Sequence, residues 1–220
     1  MSQRAMRLSL DYLLYVPQSY DRAKAWPLVL FLHGAGERGS DLELVKTHGI
    51  PKITERSLDC DRELPFLAVS PQCPSDSCWD AHLAELYELP CAVRGEYRVD
   101  ENRVYVTGLS MGGHGTWLFA LEHSDEFAAI VPICGWLASL EDVCRLKDIP
   151  AWVFHGAKDP RVPVRESQRV VDALRACGGD VKFTVFPDAE HDSWTAAYDD
   201  PDLYSWLLVQ CRGGQSRSDL

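Results

Sequence analysis

The chain has 220 residues, 46% of them hydrophobic and 25% charged. That is the composition of one globular domain with enough apolar material for a full core. Its net charge of −11 argues against nucleic acid or an anionic membrane surface as a partner, and no run is long and apolar enough to cross a bilayer. The eight cysteines are scattered without a C-x-x-C pair, which reads as a reduced, cytoplasmic protein without a zinc site. Only Cys73 and Cys78 stand close enough in sequence to suggest a disulfide. The opening stretch, MSQRAMRLSLDYLLYVPQ, lacks an apolar core followed by a small-residue cleavage site, so it reads as mature sequence and not as a signal peptide.

Taken in order, Leu8 to Val16 alternates like a strand and stops at Pro17. The apolar run PLVLFLH, Pro27 to His33, suits a strand buried on both faces. The glycine-rich loop Gly34-Ala35-Gly36-Glu37-Arg38-Gly39 follows it. Asp41 to Thr47 is a short helix that His48-Gly49-Ile50-Pro51 breaks. Pro65 to Ser70 is a second buried strand. Asp80 to Tyr97 is helical by spacing, with Pro90 expected to kink or split it. Phe127 to Cys134 and Ala151 to His155 are strands, separated by a short helix over Leu140 to Leu146. Arg165 to Cys177 is an amphipathic helix stopped by Gly178-Gly179. Val181 to Phe186 is the last strand, and a helical tail runs to about Cys211. Residues 1–212 read as a single domain and 213–220 as a frayed tail. Strands alternating with helices predict a mostly parallel sheet covered on both faces, with functional residues beyond the carboxyl ends of its strands. The short connection from Gly135 to Pro150 leaves no room for a separate lid.

The chemistry centres on Arg103 to Trp117, RVYVTGLSMGGHGTW. A strand pattern leads into G-x-S-x-G and a helix follows, the context in which that motif acts as a nucleophile elbow. Gly108 and Gly112 flank Ser110 because larger side chains would collide across so sharp a turn, and Gly113 lets the helix pack closely on the strand. His191, in the loop after the last strand, has the chain order and reach of a general base. Asp159, after the preceding strand, is placed to orient it, with Asp188 and Asp192 as alternatives hampered by their closeness to His191 in sequence. The backbone N–H groups of Met111 and Ala35, with Gly36 as the alternative to Ala35, form the expected oxyanion hole, each donor worth about 3 kcal/mol in a transition state. Among the seven histidines, His33 and His155 precede glycines at strand ends and read as hydrogen-bonding residues. His114 lies on the nucleophile helix. Trp136 and Trp194 are expected to line the site with Gly36, while Trp79 and Tyr198 fit either the pocket or the core. Glu37 and Arg38 read as a loop ion pair. Cys73, Cys134 and Cys144 are thiols near the site.

FLHGAGERG, PQCP, YVTGLSMGGHGTW, HGAKDPRVPV and EHDSW together resemble the single-domain α/β-hydrolases. The resemblance is to esterases and predicted peptidases related to the carboxylesterase/phospholipase and dienelactone hydrolase families. It implies Ser110 as nucleophile, Asp159 as acid and His191 as base, in a serine esterase acting on a small-molecule ester without cofactor or metal. Dienelactone hydrolases proper carry cysteine where this chain has Ser110. A prolyl-oligopeptidase-like serine peptidase and a non-catalytic binding member of the fold are the competing expectations.

Overall fold

The computed structural model describes residues 3–59 and 63–213. Cys60 and residues 214–220 of the expected tail lie outside the described residues. The described chain forms one eight-stranded sheet of β1 (Arg4–Arg7), β2 (Asp11–Tyr15), β3 (Trp26–Leu32), β4 (Leu67–Pro71), β5 (Val99–Leu109), β6 (Ala129–Ile133), β7 (Ala151–Gly156) and β8 (Val181–Phe186). Their order across the sheet is β1-β2-β4-β3-β5-β6-β7-β8. The ladder is antiparallel from β1 to β4 and parallel from β4 to β8. The connections reverse direction between β3 and β5. A crevice therefore opens at their carboxyl ends.

The apolar run of β3 is explained by burial on both faces. Leu28, Leu30 and Leu32 join one core, and Val29 and Phe31 join the other. The first core packs beneath α2 (Leu83–Glu96), α3 (Met111–Glu122) and α4 (Val164–Ala176), with Leu89, Trp117 and Val170 as buried anchors. The second packs beneath α1 (Gly49–Asp59), α5 (Trp194–Asp199) and α6 (Pro201–Val209), anchored by Ile50, Tyr198 and Leu203.

Several expectations are corrected. The stretch around Leu8 is a hairpin of two strands, because Arg7 pairs back onto Asp11. Asp41 to Thr47 and Leu140 to Leu146 form only 3-10 turns, at Leu44–Thr47 and Val143–Leu146. His48-Gly49-Ile50-Pro51 starts a helix instead of breaking one. Pro51 falls in the first turn, where a missing N–H costs nothing, and its carbonyl accepts the Thr54 hydroxyl at 2.8 Å. Pro90 does not split its helix, which runs from Leu83 to Glu96. The loss of one backbone bond is outweighed by burial of Leu86, Leu89 and Val93 on a single face. The tail divides at Asp200, whose side chain caps α6 by accepting the Asp202 N–H at 2.9 Å.

The cysteine expectation is also overturned. Cys73 and Cys78 are free, and the disulfide joins Cys144 to Cys177, 33 residues apart. It ties the loop after β6 to the end of α4, so Cys144 is not a thiol near the site. No helix among the described residues is long and apolar enough to cross a membrane.

The sharp connection from β5 to α3 has almost no free space. A methyl group on Gly112 would stand 1.9 Å from the Leu32 carbonyl oxygen, and one on Gly108 would stand 2.4 Å from the Gly112 carbonyl oxygen. Gly112→Ala is therefore expected to destabilise the fold by about 3 kcal/mol or more. Urea denaturation measures it, and a loss below about 1 kcal/mol would mean that the turn relaxes easily.

Candidate active site

Ser110 caps α3 with φ 54° and ψ −115°, a left-handed strained conformation for a non-glycine residue. Its N–H is held by the Ile133 carbonyl of β6 at 2.9 Å, and its own carbonyl accepts the His114 N–H at 3.0 Å. The turn is thus fixed from the sheet side and the helix side. It presents the hydroxyl half-buried at the helix start.

The structure brings Ser110, His191 and Asp159 together. Ser110 Oγ lies 2.9 Å from His191 Nε2, and His191 Nδ1 lies 2.7 Å from Asp159 Oδ2. A carboxylate only accepts, so Nδ1 carries the ring proton and Nε2 is free to accept from the serine. Asp159 Oδ1 accepts two further N–H groups, from Arg161 at 2.8 Å and Val162 at 3.0 Å. Burial pushes this carboxyl up, but the bonds from His191, Val162 and Arg161 together outweigh it and hold the group below its ordinary value. The loops carrying acid and base are bonded to each other, Ala157 N–H to Phe186 O at 2.9 Å and Lys158 N–H to Ala189 O at 3.0 Å.

His155 supports the acid from behind. Its side chain is fully buried, with Nε2 2.7 Å from the Val162 carbonyl and 3.3 Å from Asp159 Oδ2. Nδ1 meets the Ser167 hydroxyl of α4 at 2.7 Å. Since the carbonyl only accepts, Nε2 carries the proton and Nδ1 is left as an acceptor for Ser167, whose single hydroxyl proton is shared with the Gly135 carbonyl at 3.1 Å. Burial holds this imidazole below its ordinary pKa.

The two expected oxyanion donors share a geometric origin. Met111 is the first residue of α3, and Ala35 is the first residue of a 3-10 turn at Ala35–Glu37. A first-turn N–H has no acceptor inside its own helix, and neither Ser110 nor Gly34 caps with its side chain. His33 aims the second donor. Its Nε2 accepts the Cys73 N–H at 2.9 Å, so its Nδ1 carries the proton and donates to the Gly34 carbonyl at 2.6 Å. The C=O and N–H of a trans peptide point opposite ways. With the Gly34 carbonyl turned toward the buried ring, the Ala35 N–H is turned away from it. Burial lowers the His33 pKa to about 4.

Ser110, His191, Met111 and Ala35 line an open cleft of about 600 Å³, together with Gly36, Trp136 and Trp194. Trp136 stacks on His114 at 4.5 Å with the rings 3° from parallel, which makes a rigid wall. Trp194 meets the His191 ring edge-on at 5.3 Å. Leu109, Cys78, Arg161 and Val162 also line the cleft and were not foreseen; the strand-turn context of DPRVP after Asp159 was the available signal for Arg161 and Val162. Trp79 and Tyr198 belong to the core. Asp188 pairs with Lys158 and Asp192 caps Thr195, so neither touches His191. The expected Glu37–Arg38 ion pair is absent: Arg38 donates to the carbonyls of Ala35 and Ser77. Glu37 is buried, and that burial raises its pKa against the opposing pull of His48 and backbone N–H groups. Another hollow of about 560 Å³, lined by Ser124, Arg145 and Gln210, lies at the opposite end of β6 and β7 and holds no nucleophile paired with a base.

Among the described residues, the one group that could hold a metal ion is Cys134 with Asp159 and His191, whose ligand atoms lie within 4.8 Å of one another. The Asp159 and His191 atoms are already bonded together, and burial pushes the Cys134 thiol up to about 12, which disfavours the thiolate a metal needs.

A family model for phospholipase/carboxylesterase matches residues 82–200, more than half of the chain. The chain belongs to that family. Acyl-protein thioesterase 1 of Cryptococcus neoformans var. neoformans serotype D is 30% identical in an alignment of 128 residues that covers 50% of this chain and 53% of that protein. The chain thus spans about half the length of this curated relative. A solved structure titled as a thermostable esterase is 35% identical, with a TM-score of 0.82 over 92% of this chain and 60% of that one. The α/β-hydrolase fold also extends to the acylaminoacyl peptidase of Pyrococcus horikoshii, 17% identical, with a TM-score of 0.70 over all of this chain and 42% of that one.

Two outcomes follow from the site. Asp159→Asn should slow phosphonylation of Ser110 by a fluorophosphonate by up to about 10⁴-fold, the loss expected when an orienting aspartate is replaced, while Asp188→Asn leaves it unchanged. The reverse pattern would give the orienting role to Asp188. Between pH 6.5 and about 4, an unfolded His33 takes up a proton that the folded chain refuses, so stability falls as pH drops through that window. The fall from this residue is roughly 3 kcal/mol. Thermal melting across the window should show a shallower fall in His33→Asn than in wild type, and parallel slopes would contradict it.

Proposed function

We propose that the protein is a serine carboxylesterase that cleaves small or solvent-accessible esters through an acyl-enzyme. The observation that carries this reading is the continuous relay from Ser110 through His191 to Asp159, with Ser110 and His191 lining an open cleft beside two helix-start N–H groups that have no partner among the described residues. His191 takes the Ser110 proton as Oγ attacks the ester carbonyl. The tetrahedral oxyanion is stabilised by the N–H groups of Met111 and Ala35. His191, held by Asp159, then protonates the departing alcohol. In the second half it activates water, which releases the acid and restores the serine. The relay itself calls for no cofactor or metal.

Family membership and the esterase-titled neighbour support ester hydrolysis over peptide hydrolysis. The relative named as an acyl-protein thioesterase is consistent with thioesters being cleaved by the same route, since a thiolate is an easier leaving group than an alkoxide. The loop from Gly135 to Pro150 carries only a 3-10 turn, which favours short acyl chains over long lipids. A cytoplasmic setting fits the free cysteines, and the Cys144–Cys177 bond is the observation against a strongly reducing one.

A p-nitrophenyl ester series from acetyl to dodecanoyl tests the reading, with Ser110→Ala as the blank. Turnover should peak at short chains and vanish in the blank. Comparable hydrolysis of aminoacyl anilides would move the assignment to a peptidase. No turnover and no fluorophosphonate labelling would leave a binding protein.

A further inference from the structure

The lining of the cleft carries more cations than acids, the reverse of the molecule. The chain carries 33 acidic against 22 basic residues, yet the fixed charges lining the cleft are Glu37, Arg38 and Arg161. Glu37 is the only acid among them, and its burial disfavours the ionised form. Arg38 spends its hydrogen bonds on two neutral carbonyls, which hold the side chain and leave its charge uncompensated.

Arg161 is freer still. Its backbone is pinned, because its N–H donates to Asp159 Oδ1 at 2.8 Å. Its guanidinium has no hydrogen bond or ion pair among the described residues. The neighbouring cations are treated differently: Lys158 pairs with Asp188, and Arg165 and Arg169 both pair with Glu166. An acidic chain that neutralises the cations on either side of Arg161 has left this one open at the mouth of the cleft. Of the remaining lining residues, Leu109, Met111, Trp136, Val162 and Trp194 present apolar side chains.

We propose that the cleft selects esters bearing a carboxylate, which Arg161 binds directly and Arg38 attracts from the oxyanion-loop side. This rests on the esterase reading and names the substrate class. A guanidinium matches a carboxylate with two parallel N–H···O bonds. Because that carboxylate takes no part in bond making, the contact is the same in ground and transition states. It therefore acts mainly on KM.

The test uses matched pairs that differ only in charge. On the acyl side these are a p-nitrophenyl hemiglutarate and its methyl ester, and on the alcohol side 4-acetoxybenzoate and its methyl ester. For wild type, kcat/KM should favour the charged member of at least one pair by about tenfold at low salt. The pair that shows it identifies the side of the ester that carries the anion. The preference should shrink in roughly 0.5 M salt, where charge is screened within a few ångströms. Arg161→Gln should reduce the charged-to-neutral ratio by about tenfold through KM, Arg161→Lys should retain part of it, and Arg161→Glu should invert it. A wild-type ratio at or below one for both pairs overturns the inference while neutral-ester turnover keeps the esterase reading standing. A ratio unchanged in Arg161→Gln and Arg161→Glu also overturns it. Absence of turnover on every ester, with no phosphonate labelling of Ser110, removes both.

Discussion

The site depends on how closely the turn after β5 approaches the end of β3. The Leu32 carbonyl sits where a side chain at Gly112 would be, and the Gly112 carbonyl sits where one at Gly108 would be. No other residue type fits at this spacing. The same contact brings the start of α3 beside the start of the Ala35–Glu37 turn, since the turn begins three residues after Leu32. Two sets of helix-start N–H groups therefore face one cleft. Strain at Ser110 of order 1–3 kcal/mol is sustained because the sheet and the helix both fix its peptide groups.

Around that contact, neutral buried histidines do the aligning. His33 turns the Gly34 peptide, and His155 braces the Asp159–Val162 turn against α4. Both rings lie next to carbonyl acceptors that define their tautomer, and burial keeps both unprotonated. His191 differs by being only partly buried and facing the cleft. One residue type thus serves two purposes, and what separates them is solvent access and the partner on the second ring nitrogen.

The order of strands and helices was legible because β3 and β7 are apolar on both faces and are bounded by glycine or proline, and because the buried half of β5 from Val104 onward runs into the glycine-flanked turn. The grouping of Ser110, Asp159 and His191 was legible because each follows a strand in the chain order of this fold. What escaped had identifiable causes. Pro51 looks like a breaker in sequence, but proline is compatible with a first helical turn. Cys144 and Cys177 are 33 residues apart, a pairing that only tertiary packing reveals. Pro90 is tolerated because packing of Leu86, Leu89 and Val93 overrides a local penalty. Glu37 and Arg38 are adjacent in sequence yet point to different partners, one inward and one to the carbonyls of Ala35 and Ser77. Arg161 sits in the DPRVP turn, and its exposure to the cleft follows from the way Asp159 organises that turn.

The proposed mechanism passes through a covalent acyl group on Ser110. The most direct measurement is intact-protein mass spectrometry of wild-type enzyme acid-quenched during turnover of a p-nitrophenyl ester, followed by peptide mapping. One adduct of the acyl mass is expected on the peptide containing Ser110, decaying at the rate of product release. Steady hydrolysis without any adduct at Ser110, or an adduct on another residue, would contradict it.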